Sequence, residues 1–219
     1  MSKEELSQEF GLRGKEIEAF YKVLKDMEKE GTIIKTRNEL YGLVDKMNLV
    51  VGKIDANEKG FGFLIPDDKT KEDVYIPVED MNGAFHGDKV VVRLKTRALP
   101  GLRDEGEIIR IIERANETIV GTFESSKNFG FAVPDNSKIP YDIFIPKADI
   151  NGAKTNQKVV VKIIQWPEKR RNPEGEIIEI LGYAGEKGTD ILSILKQFKL
   201  EEEFPRKDIN QAENLEENV

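Results

Sequence analysis

The sequence predicts a mainly β protein with an α+β N-terminal part: helices and a hairpin first, then two tandem five-stranded barrels. Three observations carry that expectation. A long segment is duplicated, each copy breaks into five short β-branched or alternating runs, and helical spacing is confined to the first 47 residues and a stretch after Gly182.

The duplication is the most informative of the three. VGKIDANEKGFGFLIPDD from Val51 realigns with VGTFESSKNFGFAVPD from Val120, and DVYIPVEDMNGA from Asp73 with DIFIPKADINGA from Asp142. DKVVVRL from Asp88 matches QKVVVKI from Gln157, and EGEIIRI from Glu105 matches EGEIIEI from Glu174, so the copies lie 69 residues apart, with an indel before FGF. In the first copy, strands are expected near 49–55, 61–66, 73–76, 88–95 and 105–112, separated by Gly, Pro, Asn and Asp. Five short strands are too few for a sandwich and suit a closed barrel, which leaves no edge exposed. An OB-like barrel is the leading expectation and an SH3-like barrel the alternative. The barrels are assigned to 49–115 and 118–183.

Residues 1–47 follow a different rule. Ser2 and Glu5 form a capping box opening a short helix that ends near Gly11, and Ile17, Phe20, Tyr21, Leu24 and Met27 recur at helical spacing until Gly31. TIIKT and ELYGL then read as two antiparallel strands turned at Arg37-Asn38. Helix, turn, helix and hairpin is the order of a winged helix whose first helix is missing or lies upstream. At the other end, residues 184–219 read as a linker and helix. Thr189-Asp190 is expected to cap a helix bearing Ile191, Leu192, Leu195 and Phe198, Pro205 ends the pattern, and an acidic tail follows.

Composition removes many chemistries. With no cysteine and one histidine, His86, the chain cannot form disulfides or thiolate sites, and it has no partner for a histidine-based nucleophile. There is no phosphate-binding GKS or GKT loop, no Ser/His/Asp set and no aspartate cluster for two Mg²⁺ ions, and Glu201, Glu202 and Glu203 read as a run on a helix end. No catalytic or metal-binding residue is assigned. No apolar run approaches a membrane span and MSKEELSQEF is polar, so a soluble, cytoplasmic monomer is expected. The net charge of −7 argues against a generic nucleic-acid binder, but residues 184–219 supply more than half of it, with five basic and nine acidic side chains. Affinity for nucleic acid would have to come from local patches and stacking.

KGFGF at Lys59–Phe63 and KNFGF at Lys127–Phe131 supply such patches. Residues two apart on a strand share a face, so Phe61 and Phe63 project together while Gly62 and Leu64 point inward. On the next strand, Tyr75 lies between Val74 and Ile76, and Phe144 between Ile143 and Ile145; the branched pairs should fill the barrel and the aromatics face out. Three aromatics per barrel would form one platform of flat rings for stacking bases. A lone strand phenylalanine is more often a core residue, and it is the repetition of the pattern that favours exposure. Lys59 and Lys127, with Lys53, Arg93 and Lys95 in the first barrel and Lys158 and Lys162 in the second, could meet phosphates or simply be solvated. Trp166, beside Pro167 and the basic Lys169-Arg170-Arg171, is a further stacking group or a loop anchor, and His86 an ordinary loop residue. On the second helix, Lys15, Lys22, Lys25 and Lys29 are diluted by Glu16, Glu18, Asp26, Glu28 and Glu30, which disfavours insertion into a DNA groove.

The FGF motifs and aromatic strands resemble the RNA-binding motifs of cold-shock domains. With EKEGTIIKTR before the hairpin and DILSILKQFKLEEEFP after the barrels, the order resembles the N-terminal region of the bacterial ribonuclease R family over essentially the whole chain. The resemblance implies a single-stranded or structured RNA partner. It gives an RNA-facing role to Phe61, Phe63, Tyr75, Phe129, Phe131 and Phe144, with Lys59 and Lys127 on the backbone. It also implies that a Mg²⁺-dependent 3′-to-5′ exoribonuclease domain is absent, so that no cofactor belongs to this chain. Two departures matter: Asn128 stands where the first copy has Gly60, and DVYIP and DIFIP lack the histidine of free cold-shock proteins. A stand-alone RNA chaperone and a winged-helix DNA-binding regulator are the other readings.

Overall fold

The computed structural model describes residues 1–36, 38–96, 103–168 and 171–200. Arg37, Lys169, Arg170, the acids Glu201–Glu203, Pro205 and the rest of the expected tail lie outside them. The described chain forms two compact units, Met1–Glu117 with Ser137–Pro140 and Pro167–Arg171, and the remainder from Thr118.

The N-terminal elements form where their caps require. Helix α1 (Lys3–Glu9) opens on a reciprocal pair: Glu5 N–H donates to Ser2 Oγ at 3.1 Å, and Ser2 N–H donates to the Glu5 carboxylate at 2.9 Å. Helix α2 (Lys15–Glu30) stops at Gly31, whose φ of 82° lets its N–H turn back to the last carbonyls. Strands β1 (Ile33–Lys35) and β2 (Tyr41–Leu43) then pair antiparallel, each three residues long.

This segment is seated on the first barrel. Ile34, Val44, Leu49 and Val91 form a buried cluster that Val51, Ile109 and Ile112 border. Arg110 reinforces it, pairing with the Glu28 carboxylate through Nη1 and donating from Nη2 to the Lys35 carbonyl at 2.6 Å. Lys89 Nζ adds a bond to the Glu30 carbonyl at 2.9 Å, satisfying an orphan acceptor at the end of α2.

Strands β3 (Leu49–Ala56), β4 (Gly62–Pro66), β5 (Val74–Ile76), β6 (Lys89–Thr96) and β7 (Glu105–Glu113) close in the order β3-β4-β5-β7-β6. Strands β8 (Thr118–Ser125), β9 (Phe129–Pro134), β10 (Ile143–Pro146), β11 (Gln157–Gln165) and β12 (Glu174–Tyr183) repeat that order. In each barrel the third strand meets the fifth in parallel, at Tyr75 and Glu105 and at Phe144 and Glu174. That closure is the OB connectivity and decides against the SH3-like alternative. The bulges repeat as well: register slips follow Lys89, Val91 and Leu94, and again Lys158, Val160 and Ile163. They bend the long fourth and fifth strands enough to close a small barrel.

The two interiors are filled differently. Across β3 and β4 the facing core pair is Ile54 and Leu64, whereas the equivalent pair across β8 and β9 is Phe123 and Ala132. A large-and-small pair replaces two medium residues, the kind of volume-conserving exchange that cores tolerate. Phe123 also explains Gly130, because a methyl there would collide with its ring and lie 2.9 Å from the Glu124 carbonyl.

Between the repeats, the buried carboxylate of Asp88 anchors the chain leaving the first barrel. It accepts from Phe85 N–H at 2.9 Å, Ala115 N–H at 2.9 Å and Arg114 Nη1 at 2.8 Å. In the second unit, α3 (Thr189–Gln197) packs on β8, β11 and β12, with Lys196 paired to Glu179 at 3.0 Å. Its N-cap is Gly188, not Thr189: that side chain is buried in the first turn and caps nothing. Of the apolar residues expected on this helix, Leu192 and Leu195 are partly buried, and Ile191 and Phe198 are exposed.

Two substitutions test this packing. Phe123→Ala should cost about 3–5 kcal/mol in denaturant unfolding. Asp88→Ala, which removes the buried carboxylate shared by Phe85 N–H, Ala115 N–H and Arg114, should cost a similar amount, about 3–5 kcal/mol. Losses below about 1 kcal/mol would show that neither group is held as described.

Candidate nucleic-acid interface

The alternation in β4 and β5 decides which side chains face out. Gly62, Leu64, Val74 and Ile76 are buried, and Phe63 and Tyr75 stand on the other face with Phe61, which immediately precedes β4. In the second barrel Gly130, Ala132, Ile143 and Ile145 are buried, and Phe131 and Phe144 face out beside the exposed Phe129. The phenylalanines that do fill cores are Phe85 and Phe123.

The rings meet in two triads. Phe61, Phe63 and Tyr75 have centroids 5.7–5.9 Å apart, and Phe129, Phe131 and Phe144 have centroids 5.6–5.8 Å apart. The three rings expected to form one platform are in contact but do not share a plane. Phe61 stands at 90° to Phe63 and Phe129 at 81° to Phe131, with Tyr75 and Phe144 tilted between them. Edge-to-face contact suits the ring quadrupoles better than coplanar packing, so each triad is a faceted surface.

The electrostatics around the rings differ from the sequence expectation. Lys59 and Lys127 are exposed on the turns before β4 and β9, and Lys53 and Lys162 are exposed on strands. Three of the other expected cations are engaged: Lys95 with Asp80 at 2.6 Å, Lys158 with Asp135 at 2.7 Å and Arg93 with Glu107 at 3.0 Å. Asp80 holds the Lys95 ammonium charged above the usual lysine range, and Lys158 is mostly buried against its partner. Neither lysine is placed to meet a phosphate. Trp166 is partly buried beside the buried Pro167.

Two features of the surface are not legible in the sequence. Across the sheet, Asp55, Phe63, Tyr75 and Glu105 lie side by side, as do Glu124, Phe131, Phe144 and Glu174, so a carboxylate flanks each triad on both sides. Arg103, just before β7, carries its guanidinium carbon 4.9 Å from the Phe63 centroid. Both depend on barrel closure, which sequence spacing does not report. His86 has a structural role: Nδ1 accepts from Ala56 N–H at 3.3 Å, and burial holds its pKa below the ordinary histidine value.

A surface of outward aromatics on an OB barrel can stack unpaired bases. Comparison with known proteins narrows the context. Residues 131–205 match the Cold shock domain family and residues 52–111 the Ribonuclease B OB domain family. Ribonuclease R of Thermotoga maritima is 36% identical over 202 residues, covering 90% of this chain and 28% of that protein. Ribonuclease R of Escherichia coli is 32% identical over 219 residues, covering all of this chain and 27% of that protein. The chain thus spans little more than a quarter of the length of these relatives. Among solved structures, Mycoplasma genitalium RNase R in complex with ribose methylated single-stranded RNA shares the fold with a TM-score of 0.66 at 20% identity, covering 78% of this chain and 27% of that one. Yeast Ssd1, a pseudonuclease, does so with a TM-score of 0.60 at 21% identity, covering 72% of this chain and 25% of that one.

The outward placement carries its own stability test. Phe131→Ala should lower the unfolding free energy far less than Phe123→Ala in the same barrel, because only the second leaves a cavity in the core. Equal losses in paired denaturant melts would place Phe131 in the core and remove it from the surface.

Proposed function

The chain belongs to the ribonuclease R family over the part of those proteins that it spans, and from that premise we propose that it binds single-stranded RNA on its two ring triads and guides the strand as the RNA-binding part of a 3′-to-5′ exoribonuclease. Phe61, Phe63, Tyr75, Phe129, Phe131 and Phe144 stack the bases, and Lys59 and Lys127 meet the backbone. Hydrolysis, and the Mg²⁺ it would use, belong in this reading to a catalytic domain rather than to the barrels, and the chain acts as a cytoplasmic monomer. Among the described residues no helix is long and apolar enough to cross a membrane.

The observation that carries the reading is the repetition of an outward triad at the same place in two barrels. Exposed aromatic clusters are costly to keep unless they bind something. Flanking carboxylates repel phosphate, so the strand should approach with its bases towards the rings and its phosphates away from Glu105, Glu124 and Glu174, Asp55 being ion-paired with Lys138 at 2.6 Å. Stacking of that kind requires unpaired bases, because a duplex hides the base faces.

Binding and salt dependence test this together. Phe63→Ala and Phe131→Ala should each weaken binding of a labelled single-stranded RNA by about 1–3 kcal/mol in fluorescence anisotropy titrations. The unaltered chain should prefer that strand to matched duplex DNA, with a shallow fall in affinity as salt rises, since few cations are available to release counterions. Tighter binding to the duplex, with a steep salt dependence and indifference to Phe63→Ala, would overturn the proposal in favour of DNA binding through the N-terminal segment.

A further inference from the structure

Arg103 occupies a place on the first ring triad that has no equivalent in the second. Its position is set by the closure of the barrel. Tyr75 N–H donates to the Asp104 carbonyl at 2.8 Å and Tyr75 pairs with Glu105, which pins the chain entering β7 beside β5. The residue before that anchor is therefore held at the edge of the triad, and its guanidinium carbon lies 4.9 Å from the Phe63 ring centroid. The second barrel has the same anchor, with Phe144 N–H donating to the Pro173 carbonyl at 2.9 Å. At the position equivalent to Arg103 it carries Asn172, which is exposed. The backbone is alike in the two repeats and the side chain is not.

The distance has a direct consequence for stacking. A base lying on a ring takes about 3.4 Å on each of its faces, so a base between Phe63 and the guanidinium needs about 7 Å between them. The observed separation leaves no room for one. The guanidinium must lift when a base arrives, which its flexible stem permits, and it then lies against the outer face of that base. A guanidinium is planar and weakly hydrated, and it stacks on a nucleobase as readily as on a phenyl ring. Among the described residues Arg103 takes part in no ion pair, in contrast to Arg93 and Arg110, which are held by Glu107 and Glu28. Its guanidinium lies directly on a triad bordered by Glu105 and by Asp55, which Lys138 holds in an ion pair at 2.6 Å.

We propose that Arg103 is a base-stacking residue of the first barrel, closing over an unpaired nucleobase to form a Phe63, base and Arg103 sandwich that has no counterpart among the described residues of the second barrel. This rests on the reading of the triads as single-stranded RNA sites. It makes the first barrel the one that encloses a base, with Asn172 rather than an arginine at the equivalent place in the second.

The test is a double-mutant cycle on the full chain, read by fluorescence anisotropy with a short labelled oligoadenylate RNA. Arg103→Ala should weaken binding about two- to fivefold, the range expected for an exposed cation on a π face. Arg103→Lys, which keeps the charge and loses the plane, should recover less than half of that loss. Arg103→Ala should add no further loss to Phe63→Ala, whose base is no longer held, but should add its full factor to Phe131→Ala. Unchanged or tighter binding in Arg103→Ala, full recovery by Arg103→Lys, or equal losses on the Phe63→Ala and Phe131→Ala backgrounds would each overturn the proposal. If Phe63→Ala itself left binding unaltered, the triad reading would fail first; if Phe63→Ala weakened binding and Arg103→Ala did not, only the role of Arg103 would fail. Thermal melts of Arg103→Ala and Arg103→Lys should match the unaltered chain, because Arg103 is exposed.

Discussion

The pleat of a β-strand allows one face per side chain, and in barrels this small the inward face is filled first. Leu64, Ile76, Ile143 and Ile145 are fully buried, and every alternate position on those strands is thereby committed to the outside. The aromatic rings are outside because their neighbours are inside. Gly62 and Gly130 belong to the same constraint. A Cβ at Gly62 would lie 3.2 Å from Met81 Sδ and from the Asp55 carbonyl, and at Gly130 it would meet the Phe123 ring. Each FGF motif is thus one device with two faces: a gap within the core and a pair of rings over it.

That device leaves the surface chemistry to whatever the closure of the barrel brings alongside. Closure brings carboxylates. Asp55 and Glu105 flank one triad in register and Glu124 and Glu174 the other, while Lys95 and Lys158 are held by Asp80 and Asp135. A strand of nucleic acid drawn in by its phosphates would meet repulsion from Glu105, Glu124 and Glu174, whereas unpaired bases meet the rings. The nearly balanced charge of the two barrels and the outward-facing aromatics are therefore consistent with each other, although either alone would argue for a different partner.

Much of this was legible because it is local. The duplication, the strands, the capping box at Ser2 and the stop at Gly31 all follow from spacing over a few residues, and their observed limits lie within one or two residues of those expected. The outward aromatics followed from the period of two. What could not be read depends on residues distant in the chain. The tilt between the rings follows from the contacts of Tyr75 with Phe61 and Phe63, and the engagement of Lys95 and Lys158 depends on partners 15 and 23 residues away. Thr189 has a side chain that suits a cap, but the packing of α3 turns it inward and Gly188 takes the N-cap. Arg103 has no motif at all, and only the parallel pairing of β5 with β7 places it.

A duplicated module is free to diverge wherever the fold does not depend on the residue, and the two barrels show both outcomes. In the core the exchange is compensated: Phe123 replaces Ile54 while Ala132 replaces Leu64 directly across from it, so the enclosed volume is preserved. At the edge of the triad Arg103 and Asn172 stand on the same backbone anchor, and nothing in the packing requires a change at one to answer a change at the other. Compensation is what stability demands of a substitution, and its absence marks a position where stability is indifferent. An arginine laid on an aromatic ring at such a position contributes little to holding the barrel together. Its chemistry is therefore available to a ligand, and the two repeats can hold an RNA strand differently without differing in fold.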